Sequence, residues 1–185
     1  MRIVGGRLAR RGIDAPKGAQ TRPTTDRVRE ALFNLLGTRI ALDGARVLDA
    51  FAGSGALGLE ALSRGAAHAT FVERHGPTLA LARRNAAALG VEAQATFVRG
   101  DALAVLRRPG PEADLILADP PYDLDAVPTL PVLARARLGA DGLFVLEHDA
   151  RHTFDGAPGH LLSRTYGRTV LSLFEAPEAE PRPTP

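Results

Sequence analysis

The amino-acid sequence predicts an α/β fold built around a mostly parallel β-sheet, and two observations support this prediction. From about Ala45 onward, short apolar runs alternate with helical stretches, which is typical of strand–helix–strand units with helices on both faces of a sheet. After the fifth such run the alternation ends, because two strand-like runs follow that are separated only by Tyr166-Gly167-Arg168. We therefore expect a parallel sheet completed by an antiparallel C-terminal hairpin.

Length and composition favour one domain. The chain has 185 residues, 45% of them hydrophobic, which suffices for one substantial core. We expect this domain over residues 1–176, with residues 1–40 as a basic N-terminal extension, and a disordered, proline-rich acidic tail over residues 177–185. No apolar run approaches the roughly 20 residues that cross a bilayer, and no secretory signal is evident, which indicates a cytoplasmic protein without membrane contact. Because cysteine is absent and the histidines lack metal-ligand spacing, we expect neither disulfides nor a metal.

The predicted elements begin with a small hairpin over residues 2–13 that turns at Gly5-Gly6. A helix follows, which starts at Thr24 or Thr25 and ends at Gly37. Spacing places several apolar side chains on one face of this helix. They are Val28, Leu32, Leu35 and Leu36.

The strand–helix units follow in regular order, and apolar runs bounded by turn residues define their limits. The predicted strands are residues 46–49, 69–72, 95–98, 114–118 and 143–147. The predicted helices are residues 56–63, 77–89, 102–106 and 126–136. The two strands of the closing hairpin are expected at residues 161–163 and 169–174.

A glycine-rich turn follows the first predicted strand, in the segment VLDAFAGSGALGLEAL. Gly53, Gly55 and Gly58 match the spacing G-x-G-x-x-G. Glu73 ends the second predicted strand, about 20 residues beyond Gly53, where a carboxylate binds the ribose of a nucleotide cofactor. This pattern predicts a cofactor site, but it fits a nicotinamide dinucleotide as well as S-adenosylmethionine.

Asp49 favours S-adenosylmethionine. A carboxylate directly before the glycine turn would repel a pyrophosphate and attract the cationic ammonium and sulfonium groups of the methyl donor. Asp101 follows the third predicted strand and is placed to accept a hydrogen bond from the adenine amino group. Phe51, between Asp49 and the glycines, completes this part of the predicted cofactor site.

The tetrapeptide Asp119-Pro120-Pro121-Tyr122 directly follows the fourth predicted strand, at the same sheet edge as the glycine turn. Because two prolines stiffen the backbone and lack amide donors, the Asp119 carboxylate and the Pro120 carbonyl can accept both N–H groups of an exocyclic base amine. These two hydrogen bonds make the nitrogen lone pair available to a sulfonium methyl group. Asp119 can also receive the proton, and Tyr122 can stack on an extruded base. We predict that these four residues are catalytic.

Positive charge is concentrated near the N-terminus. The first 30 residues contain 8 basic and 3 acidic side chains, whereas the net charge of the whole chain is +2. Guanidinium groups bind phosphate, so the segment predicts RNA docking, although a general preference for arginine over lysine explains the same pattern. The residues assigned to RNA binding are Arg2, Arg7, Arg10, Arg11, Lys17 and Arg22.

The sequence resembles the bacterial 16S rRNA guanine-N2 methyltransferase family that acts on the small-subunit guanine numbered 966. The resemblance runs through MRIVGG, RPTTDRVREALFN, LDAFAGSGALGLEALSRGA, DPPY and the closing hairpin. It implies a Rossmann-like class I methyltransferase with a seven-stranded sheet and an N-terminal extension. It also implies an enzyme that uses S-adenosylmethionine and acts on 16S rRNA or on an assembly intermediate of the small ribosomal subunit. We separately expect a monomer. In relatives the helix that carries Thr25, Arg27 and Arg29 here covers the donor's amino-acid end, which makes Thr25 and Arg27 expected cofactor contacts.

Three alternatives stay open at this stage. The tetrapeptide recognises an amino group and does not distinguish one base from another, so the substrate could be adenine N6 or another nucleic-acid amine. The glycine motif alone would suit a nicotinamide-dependent oxidoreductase, against which stand Asp49 and the lack of a Tyr-x-x-x-Lys set. A noncatalytic RNA-binding module would use the basic N-terminus and leave DPPY without a role.

Overall fold

The computed structural model, which describes residues 1–16 and 26–178, contains a seven-stranded mixed sheet. Its strands are β1 (Arg46–Asp49), β2 (His68–Glu73), β3 (Ala95–Arg99), β4 (Ala113–Ala118), β5 (Leu138–Asp149), β6 (His160–Tyr166) and β7 (Thr169–Glu175). They lie side by side in the order β3-β2-β1-β4-β5-β7-β6. The first five strands pair in parallel, and β7 runs antiparallel to both β5 and β6. The predicted parallel sheet with a C-terminal antiparallel hairpin is confirmed.

Helices cover both faces of this sheet. They are α1 (Asp26–Leu36), α2 (Ala56–Ser63), α3 (Gly76–Leu89), α4 (Ala102–Arg107) and α5 (Leu130–Arg135). Alternate side chains of β4 enter two separate cores: Leu115 and Leu117 pack in the core with α1, α2 and α3, whereas Ile116 and Ala118 pack in the core with α4 and α5. Because β4 is buried on both faces, it appears in the sequence as a continuous hydrophobic run. Within the described residues, no helix has the length and apolar character needed to cross a membrane.

The strand order reverses beside β1. The chain proceeds from β1 to its parallel neighbour β2 on one side and later returns to β4 on the other side. In open α/β sheets, a crevice forms at such a reversal, outside the carboxyl ends of the strands. The glycine turn after β1 and the DPPY tetrapeptide after β4 both lie at this edge.

Two predicted elements differ from the structure near the middle of the chain. The helix expected over residues 126–136 is a short 3-10 helix (Val127–Thr129) followed by α5. Pro128 and Pro131 each lie in the first turn of their helix, where the missing amide donor is not needed, and the 3-10 helix leads directly into α5. β5 also begins earlier than predicted, at Leu138, and its pairing with β4 contains an irregularity between Ala113 and Leu115.

The expected N-terminal hairpin is wrong in detail. Residues 2 and 12 form one isolated antiparallel bridge, and a 3-10 helix (Gly6–Leu8) replaces the tight turn. Gly6 has a φ of 75°, and a Cβ atom there would lie 2.0 Å from the carbonyl oxygen of Ser63. The close approach of this loop to α2 therefore requires glycine. Backbone hydrogen bonds still pair the two arms, from Ile3 N to Arg11 O at 2.9 Å and from Ile13 N to Met1 O at 3.0 Å. Packing against α2 sets the shape of the loop between them.

Buried polar side chains of α2 fix the N-terminal extension to the domain. The Glu60 carboxylate accepts hydrogen bonds from the backbone N–H groups of Val4 and Gly5, both at 2.8 Å. The Ser63 hydroxyl accepts from Leu8 N at 2.9 Å and donates to Gly5 O at 2.6 Å. Each contact spans more than 50 residues of sequence, so the extension is an integral part of the fold rather than an appended arm.

Arg29 is buried completely, whereas Arg27 on the same helix is exposed. Its Nη2 donates to Arg2 O at 2.5 Å and to Asp26 Oδ1 at 2.8 Å. Its Nε lies 3.6 Å from Glu60 Oε2. A buried guanidinium needs such compensation. Arg29 is therefore a structural link between α1, α2 and the N-terminal extension.

Candidate active site

The glycine turn between β1 and α2 uses its three glycines for different reasons. Gly53 and Gly55 have φ values of 54° and 85°, in the left-handed region that favours glycine. Gly58 lies inside α2, where a Cβ atom would approach the ring of Phe71 to 2.4 Å. The turn thus brings the backbone N–H groups of α2 to the crevice, and the third glycine lets the helix pack closely on β2.

Asp49 lies at the end of β1 and is almost fully buried. Its Oδ2 accepts a hydrogen bond from Gly58 N at 3.0 Å, whereas its buried Oδ1 has no hydrogen-bond partner among residues 1–16 and 26–178. Burial raises the pKa of Asp49 to about 7; the bond from Gly58 opposes this rise, and the negative charges of Asp119 and Glu73 add to it. Asp49 is therefore an acceptor with an unmet hydrogen bond in a negatively charged setting.

Glu73 ends β2 and supports the glycine turn. Its Oε2 accepts from Gly53 N at 3.2 Å, and its Oε1 accepts from His75 N at 2.8 Å. Each carboxylate oxygen has two acceptor sites, so Glu73 keeps capacity for a ligand hydroxyl. Phe51, half-buried in the segment between Asp49 and Gly53, packs against the core that contains α4 and α5.

Asp101 has a structural role that the sequence-based interpretation missed. It is the N-cap of α4, and its Oδ1 accepts from Ala104 N at 2.8 Å. An aspartate directly before the helical pattern ALAVL was a readable signal for this cap. Asp101 is exposed at the carboxyl end of β3, and its second oxygen is not used by the cap.

The DPPY tetrapeptide directly follows β4, next to β1. Asp49 pairs in register with Leu117, two residues before Asp119, and Ala50 N donates to Leu117 O at 2.9 Å. The charge of Asp119 contributes to the raised pKa of Asp49, which requires the two carboxylates to be near each other. The glycine turn and the tetrapeptide therefore face one crevice.

Within the tetrapeptide, Tyr122 is the most exposed residue. Asp119 is half-buried, Pro120 is buried, and Tyr122 keeps 44% of its surface exposed. The Pro121 carbonyl accepts from Leu124 N at 3.0 Å, whereas no hydrogen bond from the described part of the chain reaches Pro120 O. The two expected acceptors, Asp119 and Pro120 O, are thus adjacent at the crevice.

Arg151, which sequence reasoning missed, holds this loop from the end of β5. Its Nη2 donates to Tyr122 O at 2.5 Å and lies 2.6 Å from Asp149 Oδ2. The hydrogen bond from Arg151 also lowers the pKa of Asp149. His148 precedes this pair, and burial lowers its pKa, so it stays neutral while it bonds to Ser172 Oγ at 2.7 Å. The sequence HDARH follows a strand at the same sheet edge, which was the available signal.

Open space lies next to the exposed ring of Tyr122. A groove of about 160 Å³ extends from it, large compared with the roughly 30 Å³ that one water molecule occupies. The residues that line this groove are Tyr122, Asp123, Leu124, Asp125, Arg151 and His152. The groove borders the tetrapeptide at Tyr122.

A family model described as conserved hypothetical protein 95 matches residues 1–175 of the chain. The chain belongs to this family. It is 37% identical over 185 residues to a Bacillus subtilis protein named putative rRNA methyltransferase YlbH, and the match covers 95% of this chain and 98% of that protein. It is 43% identical over 122 residues to ribosomal RNA small subunit methyltransferase D of Escherichia coli, a match that covers 66% of this chain and only 60% of that protein.

Solved structures agree with this membership. The structure of the putative methyltransferase yhhF from Escherichia coli superimposes with a TM-score of 0.82 at 33% identity, covering 95% of this chain and 97% of that one. The putative methylase HI0767 from Haemophilus influenzae gives a TM-score of 0.77 at 27% identity, covering 96% and 98%. The expected Rossmann-like class I fold and the assignment as an S-adenosylmethionine-dependent methyltransferase are thereby confirmed.

The basic residues predicted to dock RNA have mixed roles in this family member. Arg2 pairs with Asp26 at 2.9 Å, and Arg7 donates to Gln94 at 2.7 Å. Arg11 donates to the carbonyl oxygens of Ala88 and Leu89 at the end of α3, and Arg10 is exposed with a φ of 70°. Arg27 is exposed on α1. Lys17, Arg22, Thr24 and Thr25 lie outside the described residues.

Proposed function

We propose that this protein transfers the methyl group of S-adenosylmethionine to the exocyclic N2 amino group of a guanine in 16S rRNA, of the guanine-966 type. The observation that carries the proposal is the shared crevice of Asp49 and Asp119, with an unsatisfied buried acceptor on one side and the DPPY loop on the other. The names of the relatives from Bacillus subtilis and Escherichia coli support rRNA as the substrate.

The chain's own residues fit the methyl donor. The unpartnered Asp49 Oδ1 offers an acceptor to the donor's ammonium group, directly or through one water molecule. Asp49, Glu73 and Asp119 together make the crevice negative, which suits a cation and disfavours the diphosphate of a nicotinamide dinucleotide. In this proposal, Glu73 binds the ribose and Asp101 the adenine, and Thr25 and Arg27 approach the amino-acid end. The adjoining wall of the cofactor crevice is formed by Phe51, Gly53 and Gly55.

The DPPY loop prepares the target amine. When bound, S-adenosylmethionine supplies an electrophilic methyl group on a positively charged sulfur. The Asp119 carboxylate and the Pro120 carbonyl accept the two N–H groups of the base, which directs the nitrogen lone pair toward that methyl group. Tyr122 stacks on the extruded base, worth about 1–3 kcal/mol, and Asp119 accepts the proton that the nitrogen loses.

The organisation of the chain supports this assignment. Because Glu60 and Ser63 attach the N-terminal extension, we propose that residues 1–176 form one domain. The expected tail over residues 177–185 lies outside the described residues from position 179 onward. We further propose a cytoplasmic monomer that binds 16S rRNA or an assembly intermediate of the small subunit. Residues 1–175 already match one family model, which supports a single functional unit.

The product identifies the reaction. Purified protein and isotopically labelled S-adenosylmethionine are incubated with 30S particles that lack the modification, with naked 16S rRNA and with duplex DNA, and the nucleosides are analysed by mass spectrometry. The expected product is N2-methylguanosine at one position of the rRNA. N6-methyladenine, or label in DNA only, would replace the substrate assignment. Tight binding of NADH without binding of S-adenosylmethionine would overturn the methyltransferase mechanism itself.

A further inference from the structure

Seven exposed arginines lie along the edge of the molecule formed by α3 and β3. This arginine edge consists of Arg7, Arg10, Arg11, Arg74, Arg83, Arg84 and Arg99. They come from three segments, residues 5–12, 74–91 and 95–100, and one acidic side chain, the exposed Glu92, lies between the last two. With Glu92 counted, this edge carries a net charge of 7 − 1 = +6, so the rest of the chain carries 2 − 6 = −4. Positive charge is therefore concentrated on this edge of the molecule.

Side-chain contacts hold the three segments together. Arg11 donates to Leu89 O at 3.0 Å, which attaches the N-terminal segment to the end of α3. Arg7 donates to the Gln94 side chain at 2.7 Å, directly before β3. The Arg83 guanidinium lies 5.1 Å from the centroid of the Phe97 ring, so α3 and β3 are joined as well.

The arginine edge begins at the crevice. Arg74 follows Glu73, whose carboxylate supports the glycine turn, and Arg99 pairs in register with Glu73 across β2 and β3. Arg99 also lies against Gly76, the first residue of α3. From there α3 extends over 14 residues, about 21 Å, to the segment that carries Arg11. The positive charges thus form a path from the crevice along the length of the helix.

We propose that the arginine edge binds the phosphodiester backbone of the rRNA that flanks the target nucleotide. This proposal rests on the proposed function and adds the surface that the substrate uses. A guanidinium has five N–H donors, so arginines that already make one protein contact keep donors for phosphate oxygens. The N-terminal arginines predicted from sequence are part of this surface through Arg7, Arg10 and Arg11, whereas Arg2 is paired with Asp26 and Arg29 is buried.

A pair of matched double variants tests the surface. R74Q/R84Q removes two charges from the arginine edge, and R164Q/R168Q removes two exposed charges from the β6–β7 hairpin at the opposite edge of the sheet. For each variant and the wild type, we measure rRNA affinity as a function of salt, the KM for rRNA, and the affinity for S-adenosylmethionine. Thermal unfolding of each variant verifies that it is folded.

We expect R74Q/R84Q to raise the KM for rRNA about tenfold near 0.1 M salt, and to reduce the slope of log affinity against log salt by about 1.5. Affinity for S-adenosylmethionine and kcat at saturating rRNA stay within about twofold, as do all values for R164Q/R168Q. Equal effects of the two double variants, or no effect of R74Q/R84Q while the wild type methylates rRNA, would overturn the proposed RNA-binding surface. The proposed function would stand. A wild type that methylates no rRNA overturns the proposed function and this surface with it.

Discussion

Asp49 and Glu60 are two carboxylates buried in the same part of the molecule, with exposed fractions of 1% and 0%. Glu60 accepts hydrogen bonds from Val4 N, Gly5 N and Arg64 Nε, and the Arg29 guanidinium lies 3.6 Å away. Within the part of the chain that the structure describes, Asp49 accepts one bond, from Gly58 N, and the charges that act on it, those of Asp119 and Glu73, are negative.

The difference shows that burial does not by itself mark a functional carboxylate. Backbone donors and two arginines satisfy Glu60, so its charge holds the N-terminal extension and α1 to α2. Asp49 is left with an unsatisfied oxygen and a raised pKa, which is unfavourable for stability and useful only if a ligand completes the site. We therefore assign a structural role to Glu60 and a cofactor-binding role to Asp49. Separate substitutions test each assignment.

The largest effect is expected at Asp119, the carboxylate whose charge acts on Asp49. D119N keeps the shape of the side chain but removes the charge and the acceptor for the proton, so single-turnover methyl transfer should fall roughly a thousandfold. Rapid-quench assays at saturating substrates measure this rate, and calorimetry should show affinity for S-adenosylmethionine within about threefold of wild type. A turnover rate near that of wild type would remove Asp119 from the mechanism.

E60Q is the next largest expected effect, and it acts on stability. The substitution removes the negative charge beside buried Arg29, so the free energy of unfolding should fall by about 3–5 kcal/mol. Chemical denaturation measures this loss. The matched control is E30Q, which changes the exposed Glu30 on α1 and should alter the free energy of unfolding by less than about 0.5 kcal/mol. If the two variants are equally stable, Glu60 does not hold the extension.

D49N should show the opposite profile. The neutral amide lacks the charge that attracts the methyl donor, so affinity for S-adenosylmethionine should fall by about 1.5–3 kcal/mol, or roughly ten- to hundredfold. Stability of the free protein at pH 8 should stay equal or increase, because an unsatisfied buried charge is removed. D43N, at the exposed amino end of β1, serves as the control. Lower stability with unchanged cofactor affinity would reverse the assignment.

The pH dependence of cofactor binding is the smallest of these effects. Because the pKa of Asp49 in the free protein is about 7, its ionised fraction rises about tenfold between pH 6 and pH 8. The cationic donor binds the ionised form, so affinity should increase by up to about tenfold over this range, with proton release below pH 7. Calorimetry in buffers of different ionisation enthalpy detects that proton, and D49N should lack both effects.

The same pKa fixes the sign for stability. The folded state holds the Asp49 proton more tightly than the unfolded state, whose value is near 3.8. The stability contributed by this proton is present at low pH and is lost as pH rises from about 4 through 7. Over that range, the unfolding free energy of wild type minus that of D49N should therefore decrease. A wild type that becomes more stable relative to D49N as pH rises would contradict the raised pKa.

Local patterns sufficed for most of the fold and for the centre of the site. The bounds of α2 were predicted without error, since a glycine turn precedes its apolar helical run. Asp49 and Asp119 were predicted because each ends or directly follows an apolar strand, and parallel strands bring such ends to one edge.

The remaining parts depend on contacts between distant residues. Glu60 appears within LGLEAL as an ordinary polar residue, and its partners at residues 4 and 5 are more than 50 positions away. Asn85 likewise accepts from Asp14 N at 2.9 Å and donates to Ser54 O at 2.9 Å, which joins the N-terminal extension to the glycine turn. No periodicity or short motif specifies such pairs, so only the folded chain shows them.

The central claim is that the glycine turn and the DPPY loop form two walls of one crevice that holds the methyl donor. A crystal structure of the complex with S-adenosylmethionine tests it most directly. We predict that the donor's ammonium group bonds to Asp49 Oδ1, directly or through one water molecule, and that its sulfonium methyl group faces Asp119 and Pro120 O. A donor that binds away from Asp49, or a methyl group directed away from the DPPY loop, would contradict the account.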